Sequence, residues 1–273
     1  MTDQPWVTHL SYTHENGIHI RGYNLLDLIG VVPFPAVLYL LFMGEIPRPS
    51  MTRLLDAIMV ASIDHGPGAP SALAARTAVS GGAPIGPAAA AGILTIGKYH
   101  GGAVEDSMTA IHRVVEFQSL SEQGAETLSR AADKVVDEYR KAGIRISGFG
   151  HRQHKTEDPR VKRLFKIAKE ANIDGRFLEG ALALSEALKR NLGKDLPINI
   201  DGAIAAILCE IDFPASLANA LFMVARLVGI LAHAHEELTT MQPMRRIDPV
   251  RHTYEGPINR TLEYFQSIGD RND

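Results

Sequence analysis

The sequence predicts a mainly α-helical, multi-helix protein that opens with a short N-terminal β-hairpin. Apolar residues recur at helical spacing through most of the 273 residues. Glycine and proline mark the ends of those segments. The strand-like runs WVTHLSY and GIHIRGY stand near the N-terminus, and Asn16-Gly17 between them is a strong signal for a hairpin turn.

The helical segments of the first half follow the hairpin in order. After NLLDLIG, the run PAVLYLLFMGEIP predicts a buried helix that is closed by glycine and proline. Ser50 is the predicted N-cap of a helix over residues 50–63. The runs PSALAARTAVS and PAAAAGILTIG consist mostly of small residues, which allow helices to pack closely.

Helical signals also dominate the second half. An amphipathic helix is predicted to start at Ser121 and to stop at Gly143. Asp158 before Pro159 predicts an N-cap followed by proline at the first helical position. Three apolar segments complete the helical pattern, at 177–193, 202–212 and 214–238.

Composition limits the class of protein. A hydrophobic fraction of 45% is ordinary for a globular protein, and a net charge of −3 provides no global attraction to nucleic acid or to an anionic membrane. Cys209 is the single cysteine, so no intrachain disulfide can form. The N-terminus lacks a signal-peptide pattern, and the longest apolar run, 31–44, is too short to span a bilayer. We therefore expect a soluble, cytoplasmic protein with no nucleic-acid or membrane partner.

Charge is uneven along the chain. Residues 141–170 contain nine Lys or Arg against three Asp or Glu, a local balance of +6. Such a run is typical of a solvated helix surface, but it also suits an anion-binding site, such as one for a phosphorylated cofactor. The pattern alone leaves both interpretations open.

Three histidines stand beside glycine at the ends of segments: His65, His100 and His151. Glycine lets the backbone approach a ligand closely, and segment ends are where sites are built. A metal site is not expected, because the pairs His151/His154 and His233/Glu237 each lack a third ligand. The glycine-rich run SGGAPIGP has neither the Gly-Lys-Ser/Thr of a phosphate-binding loop nor a preceding strand.

Asp201 stands just before an apolar helical segment. As an N-cap it would need no further role. As a carboxylate in apolar surroundings its pKa would tend to rise, which suits proton transfer to or from carbon. Both interpretations fit the pattern.

Six motifs together resemble the citrate synthase superfamily along nearly the whole chain: RGYNLLDLIG, DHGPGAPSALAAR, HGGAVED, GFGHRQHKTEDPR, NIDGAIAAILCEIDFP and FMVARLVGILAHAHEE. The resemblance implies a largely helical, dimeric enzyme that makes or breaks a carbon–carbon bond between acetyl-CoA and oxaloacetate. It also implies a single citrate synthase-like unit over 1–273. That unit would combine a large helical core, about 22–145 and 200–273, with a small CoA-side subdomain, about 146–199.

The resemblance implies three catalytic residues. His100 of HGGA would stabilise the enol or enolate of the acetyl thioester, since developing oxyanion charge needs a donor. His151 of GFGH would contact the oxaloacetate carbonyl or the corresponding citryl hydroxyl. Asp201 of NID would move the proton on the acetyl methyl carbon, which requires a positioned base with a raised pKa.

The resemblance also implies the binding residues. Substrate contacts fall on His65, Arg160, Arg226, Phe222 and an arginine from the neighbouring subunit, either Arg245 or Arg246, with Arg245 favoured by its spacing from Arg226. Guanidinium groups suit this role because they bind carboxylates bidentately. The adenine and phosphate end of CoA would lie at Gly148, Phe149, Gly150 and Lys155.

The chain departs from the synthase pattern in three ways. A block of helices that normally precedes the His65 motif is missing, Gly202 replaces an aromatic residue, and the C-terminal arginine segment is rearranged. This compact form resembles the citryl-CoA lyases, which include a module of ATP-citrate lyase. It implies retro-Claisen cleavage of citryl-CoA, or a related 3-hydroxyacyl-CoA, by a homodimer or homotetramer. No permanent cofactor is implied, because CoA enters as the carrier of the acyl group. The alternatives are a citrate or 2-methylcitrate synthase and a non-catalytic CoA-binding paralogue.

Overall fold

The computed structural model describes residues 7–15, 17–120, 127–150, 158–173, 175–246 and 253–259. Within them a small antiparallel sheet precedes eleven helices. Strands β1 (Ser11–His14), β2 (Gly17–Ile20) and β3 (Tyr23–Asn24) lie in the order β1-β2-β3, and Tyr12 pairs with His19. The predicted hairpin is therefore confirmed. The third strand was not predicted, because two residues are too few to carry an alternating pattern.

The helices occupy most of the remaining chain. They are α1 (Leu25–Leu28), α2 (Phe34–Met43), α3 (Pro49–Ser62), α4 (Pro70–Ser80), α5 (Ile85–Leu94), α6 (Ala103–Leu120), α7 (Leu128–Lys141), α8 (Pro159–Glu170), α9 (Arg176–Leu192), α10 (Ile200–Glu210) and α11 (Ala215–Thr240). The prediction of a mainly α-helical protein is confirmed.

Helix boundaries follow proline and glycine more closely than the other cap signals. The predicted N-cap at Ser50 is wrong, because Pro49 has its φ preset for the first helical position and α3 begins there. Asp158 caps α8 ahead of Pro159, as predicted. Gly143 follows the last turn of α7 with a φ of +67°, and it ends that helix as predicted. The predicted start of the same helix at Ser121 is wrong, because Thr127 has an extended backbone, accepts from Arg130 N through its side chain and caps α7 at Leu128.

The main hydrophobic core surrounds α10. Every residue of this helix from Gly202 to Cys209 is buried, and α10 packs against α3, α6, α8, α9 and α11. A second, smaller cluster joins α4, α5 and α11. Because α10 is held on several sides, its first turn is a rigid support for any side chain that it carries. The division into a core and a CoA-side subdomain over 146–199 stays a prediction.

Helix α11 is long and apolar enough to cross a membrane by length and composition alone. The apolar run 31–44, which is too short to span a bilayer, contains α2 alone among the helices. In the folded chain α11 packs against α3, α4, α5 and α6, and it buries the charged residues Arg226 and Glu237 with partners from other segments. These contacts hold α11 within the helical fold, where 39% of its most apolar 18-residue window is buried.

Candidate active site

His100 lies in a tight turn between α5 and α6. Gly97 and His100 exchange two backbone hydrogen bonds of 2.9 and 2.8 Å, and the Gly102 N–H also donates to the Gly97 carbonyl. Gly101 has a φ of +70°, and a Cβ there would overlap the ring of Phe222. A Cβ on Gly102 would lie 2.6 Å from the backbone of Gly97. The two glycines after His100 therefore let the turn close against Phe222.

The ring of His100 is oriented by the first turn of α4. The Ser71 backbone N–H donates to His100 Nε2 over 3.3 Å, and Ser71 Oγ lies 2.8 Å from the same nitrogen. Since Nε2 accepts a hydrogen bond, the proton of the neutral ring lies on Nδ1. The contacts with Ser71 thus indicate that Nδ1 carries the proton and is the donor atom of the His100 ring.

Asp201 lies in the first turn of α10 but does not cap it. Asn199 is the N-cap, and its Oδ1 accepts from the backbone N–H groups of Asp201 and Gly202 at 3.0 and 3.2 Å. The interpretation of Asp201 as an N-cap is therefore wrong. Its carboxyl group is left for another role.

Burial raises the pKa of Asp201 to about 6, as its apolar surroundings predict. The charges of Arg160 and Arg226 oppose this rise, and that of Asp158 adds to it. These three charges therefore lie within Coulombic range of the Asp201 carboxyl group. A carboxyl group with a pKa near neutrality can donate and accept a proton at physiological pH.

Arg226 and Phe222 lie one turn apart on α11. The guanidinium carbon of Arg226 is 4.8 Å from the centre of the Phe222 ring, and its Nε donates to the Ser62 carbonyl over 2.7 Å. Arg226 is only 4% exposed, and burial lowers its pKa while Asp64 and Asp201 raise it. Phe222 thus connects the His100 turn to a buried cation whose charge acts on Asp201.

Arg160 lies at the second position of α8 and is held by Asp158, which is 1% exposed. Asp158 Oδ1 accepts from the backbone N–H and the Nε of Arg160, both at 3.0 Å, while Oδ2 accepts from Nη2 at 2.7 Å. This fork fixes the direction of the guanidinium group. Arg160 and Arg226 together place two cations around Asp201, which suits a substrate with several carboxylates.

The backbone around His65 is anchored by its neighbour Asp64. Asp64 Oδ2 accepts from Gly66 N over 3.0 Å, and His233 Nε2 on α11 lies 3.1 Å from Oδ1. Burial pushes the pKa of Asp64 up, but hydrogen bonds from the backbone of Gly66 and His65 and from His233 outweigh it, so the pKa is lowered. Gly229 allows the segment to lie directly against α11, because a Cβ there would overlap the Ile63 carbonyl.

The loop Gly148–Gly150 lies on the first turn of α10. Gly148 and Gly150 have φ values of +87° and +80°, and a Cβ on Gly148 would overlap Ser107 and meet Gly202 at 2.8 Å. The Phe149 side chain is buried in the core. His151, His154 and Lys155 lie outside the described residues.

Arg145 is a site candidate that the motifs missed. Its Nη2 lies 3.6 Å from the position of a Cβ on Gly150, at the loop assigned to CoA. The only sequence signal for it was the basic run 141–170. A cation beside this backbone suits a phosphate group.

The two C-terminal arginines have different surroundings. Arg245 donates through Nε to Glu237 Oε1 over 2.9 Å and through Nη2 to Oε2, and its backbone N–H donates to Ser80 Oγ over 2.6 Å. Arg76 Nε also donates to Glu237, over 2.8 Å. Arg246 is exposed, and within the described part of the chain it pairs with no carboxylate. Arg245 is thus committed to its own chain.

The described candidates therefore converge from four segments: the His100 turn, the first turns of α8 and α10, and the middle of α11. They combine an imidazole ring oriented by Ser71, a carboxyl group with a pKa near 6 and two oriented guanidinium groups. This set can stabilise an enolate, move a proton at carbon and hold a polyanion.

Comparisons with known proteins show the family and the fold of this chain. A family described as "Citrate synthase, C-terminal domain" matches residues 47–247. The structure of citryl-CoA lyase from Hydrogenobacter thermophilus is similar to this chain with a TM-score of 0.86 and 38% identity, covering 97% of this chain and 100% of that one.

Two longer proteins are also similar over most of this chain. ATP-citrate synthase beta chain protein 2 from Arabidopsis thaliana is 26% identical over 242 residues, which are 83% of this chain and 36% of that protein. ATP citrate lyase from Methanosaeta concilii, solved with citryl-CoA, has a TM-score of 0.81 at 23% identity, covering 97% of this chain and 44% of that one, and supports the fold alone. The chain thus spans about a third of the length of the curated relatives it matches.

Proposed function

This chain belongs to the citrate synthase family, and on that premise we propose that it is a CoA-dependent carbon–carbon lyase. It cleaves citryl-CoA, or a related 3-hydroxyacyl-CoA, to acetyl-CoA and oxaloacetate. The observation that carries the proposal is its similarity to a citryl-CoA lyase, which covers 97% of this chain and 100% of that one. His100, Asp201, Arg160 and Arg226 support the proposal, because together they can stabilise an enolate, move a proton at carbon and bind carboxylates.

Substrate binding falls to the cations around Asp201. Arg160, held in place by Asp158, and Arg226, held by the Ser62 carbonyl, bind carboxylates of the citryl group, with His65 and Phe222 beside them. The backbone of Gly148–Gly150 lies along CoA. Arg145 and Lys155 provide the positive charge for its phosphates, and CoA arrives as part of the substrate rather than as a resident cofactor.

Cleavage then needs two proton movements and one enolate. His151 takes the proton of the citryl hydroxyl, the carbon–carbon bond breaks, and the oxygen becomes the ketone of oxaloacetate. The electron pair of that bond forms the enolate of acetyl-CoA, whose oxygen accepts from His100 Nδ1–H. Asp201, in its protonated form, delivers the proton to the methyl carbon.

A neighbouring subunit completes the site in this proposal. We assign the arginine that crosses over to Arg246 rather than Arg245, because Glu237 already holds Arg245 within its own chain. The protein then works as a homodimer or homotetramer.

The subunit assignment predicts complementation. Arg246→Ala and Asp201→Asn subunits, each inactive alone, regain activity when mixed, because one site of the mixed dimer is intact. The measurement is citryl-CoA cleavage before and after refolding the two variants together. Arg245→Ala in place of Arg246→Ala serves as the comparison. Restored activity with Arg245→Ala but not with Arg246→Ala contradicts the assignment.

The reaction is tested by product identification. Purified protein given citryl-CoA releases oxaloacetate, followed by its reduction in a coupled assay, together with acetyl-CoA identified by mass. Failure with citryl-CoA and with other 3-hydroxyacyl-CoAs would sink the proposal.

A synthase in the same family is the second candidate, because the matched family description names citrate synthase. A synthase makes citrate from acetyl-CoA or propionyl-CoA plus oxaloacetate and releases free CoA by hydrolysis. Following free CoA in the same assay separates the two functions, since the lyase leaves the thioester intact.

A further inference from the structure

The side-chain amide of Asn199 bonds two segments at once. Its Oδ1 accepts from the backbone N–H groups of Asp201 and Gly202, at 3.0 and 3.2 Å. Its Nδ2 donates to the carbonyl of Gly150 over 2.9 Å. The same group therefore caps α10 and holds the residue that directly precedes His151.

Backbone hydrogen bonds around Asn199 also hold the Gly148–Gly150 loop against the residues that precede α10. The Asn199 N–H donates to the Gly148 carbonyl over 3.0 Å, and the Gly150 N–H donates to the Pro197 carbonyl over 2.7 Å. Gly202 lies so close to Gly148 that a Cβ on either residue would overlap the other segment. The loop thus rests on the first turn of α10, with the Asn199 amide at their junction.

Capping alone does not explain an asparagine at this position. Aspartate and serine cap helices about as well, because a cap needs only an acceptor oxygen. The hydrogen bond to the Gly150 carbonyl needs a donor as well. An aspartate carboxylate has no donor, and a serine side chain is too short to reach the Gly150 carbonyl while its hydroxyl caps the helix. The two demands together select a carboxamide.

We propose that Asn199 is a positioning residue that holds Asp201 and the Gly148–Gly150 loop at a fixed separation. The inference rests on the proposed function, in which Asp201 and His151 act on opposite sides of the bond that breaks. Asn199 itself touches no reacting atom. A displacement of about 1 Å between groups that must act together can cost about 100-fold in rate.

The test compares Asn199→Ser and Asn199→Asp with Asn191→Ser. Both Asn199 variants keep a cap acceptor for α10 and lose the donor to Gly150. Asn191 is a matched control, because its Nδ2 donates to the Ala187 carbonyl at 2.9 Å and to Asp133 at 2.7 Å on a distant helix face. We expect kcat for citryl-CoA cleavage to fall about 10- to 100-fold in both Asn199 variants and to stay unchanged in the control. The melting temperatures of Asn199→Ser and of the control should fall by similar amounts.

Hydrogen–deuterium exchange gives a readout that needs no activity. Peptides covering 147–150 should exchange about ten times faster in both Asn199 variants than in wild type, while α7 peptides stay protected. Wild-type exchange in this loop, or wild-type kcat in both variants, would overturn the inference. If wild-type protein does not cleave citryl-CoA, the proposed function fails, and exchange alone still decides whether Asn199 holds the loop.

Discussion

Two regions of the molecule each combine one buried carboxyl group with two arginines, but the pKa values of the two carboxyl groups are shifted in opposite directions. Asp201 at the start of α10 faces Arg160 and Arg226, whereas Glu237 near the end of α11 faces Arg76 and Arg245. Burial raises the pKa of Asp201 to about 6. Burial also pushes the pKa of Glu237 up, but hydrogen bonds from Arg245 and Arg76 outweigh it and lower that pKa.

The difference lies in where the arginines donate. Arg245 and Arg76 donate directly to the carboxylate of Glu237, whose side chain is 1% exposed. Arg160 donates to Asp158 and Arg226 to the Ser62 carbonyl, and among the described residues neither arginine donates to the Asp201 carboxyl group, so their charges act on it through space. A carboxylate with direct donors is a structural ion pair, whereas one without them can exchange a proton.

We expect the largest loss of activity from a substitution at Asp201. Asp201→Asn should lower kcat for citryl-CoA cleavage about 1000-fold, because an amide can neither deliver nor accept the proton at the methyl carbon. Steady-state kinetics measure the loss. Asp195→Asn, on an exposed carboxylate paired with Lys189, is the control and should keep wild-type kcat. A tenfold loss or less in Asp201→Asn would contradict the assigned role.

The contact between the His100 turn and Phe222 can be tested separately, since the Phe222 ring packs against the Arg226 guanidinium group. Gly101→Ala should lower kcat about 100-fold, because its Cβ would displace the Phe222 ring. Gly82→Ala is the matched control: Gly82 also has a positive φ, +95°, but a Cβ there meets nothing within 4 Å. The control should lose only about 1 kcal/mol of stability. A kcat for Gly101→Ala equal to that of the control would show that the contact between Gly101 and the Phe222 ring does not support the site.

The raised pKa of Asp201 has a cost in stability. Its folded-state pKa of about 6 lies above the reference value of 3.8, so folding favours the protonated form and disfavours the charged one. Asp201→Asn should therefore raise the free energy of unfolding by about 3 kcal/mol at pH 8, and the gain should vanish as the pH falls through 6 towards 4. Urea denaturation at several pH values measures it. A gain that does not depend on pH would point to packing instead.

Substitution of Glu237 should change the free energy of unfolding in the opposite direction. Its pKa is lowered on folding, so it adds stability above its reference value of 4.5 and loses it as the pH falls through the folded-state pKa. Glu237→Gln should cost about 2 kcal/mol at pH 7, because Arg76 and Arg245 lose a charged acceptor. The deficit should shrink in acid, measured by the same denaturation series. The exposed Glu116→Gln is the control, since its pair with Arg113 is solvated and contributes little. A larger deficit in acid than at pH 7 would reverse the assignment.

The sequence predicted the fold class, because helix periodicity and proline are local signals. The roles of the site residues named from the motifs stay predictions. The interpretation of Asp201 as an N-cap was wrong, because Asn199, two residues earlier, is an equally good cap residue and only the three-dimensional path of the chain decides which one caps. Spacing favoured Arg245, and the contact with Glu237 eight residues earlier was invisible in the pattern. Arg145 was hidden in a basic run for the same reason: its neighbour Gly150 is known only from the folded chain.

The most direct test of the central claim is the titration of the Asp201 carboxyl group itself. Protein labelled with ¹³C at aspartate carboxyl carbons is titrated by NMR, and the Asp201 resonance is the one missing from Asp201→Asn. The account predicts a midpoint near pH 6 for this resonance in the substrate-free protein. A midpoint below about 4, the ordinary range of an aspartate, would contradict it.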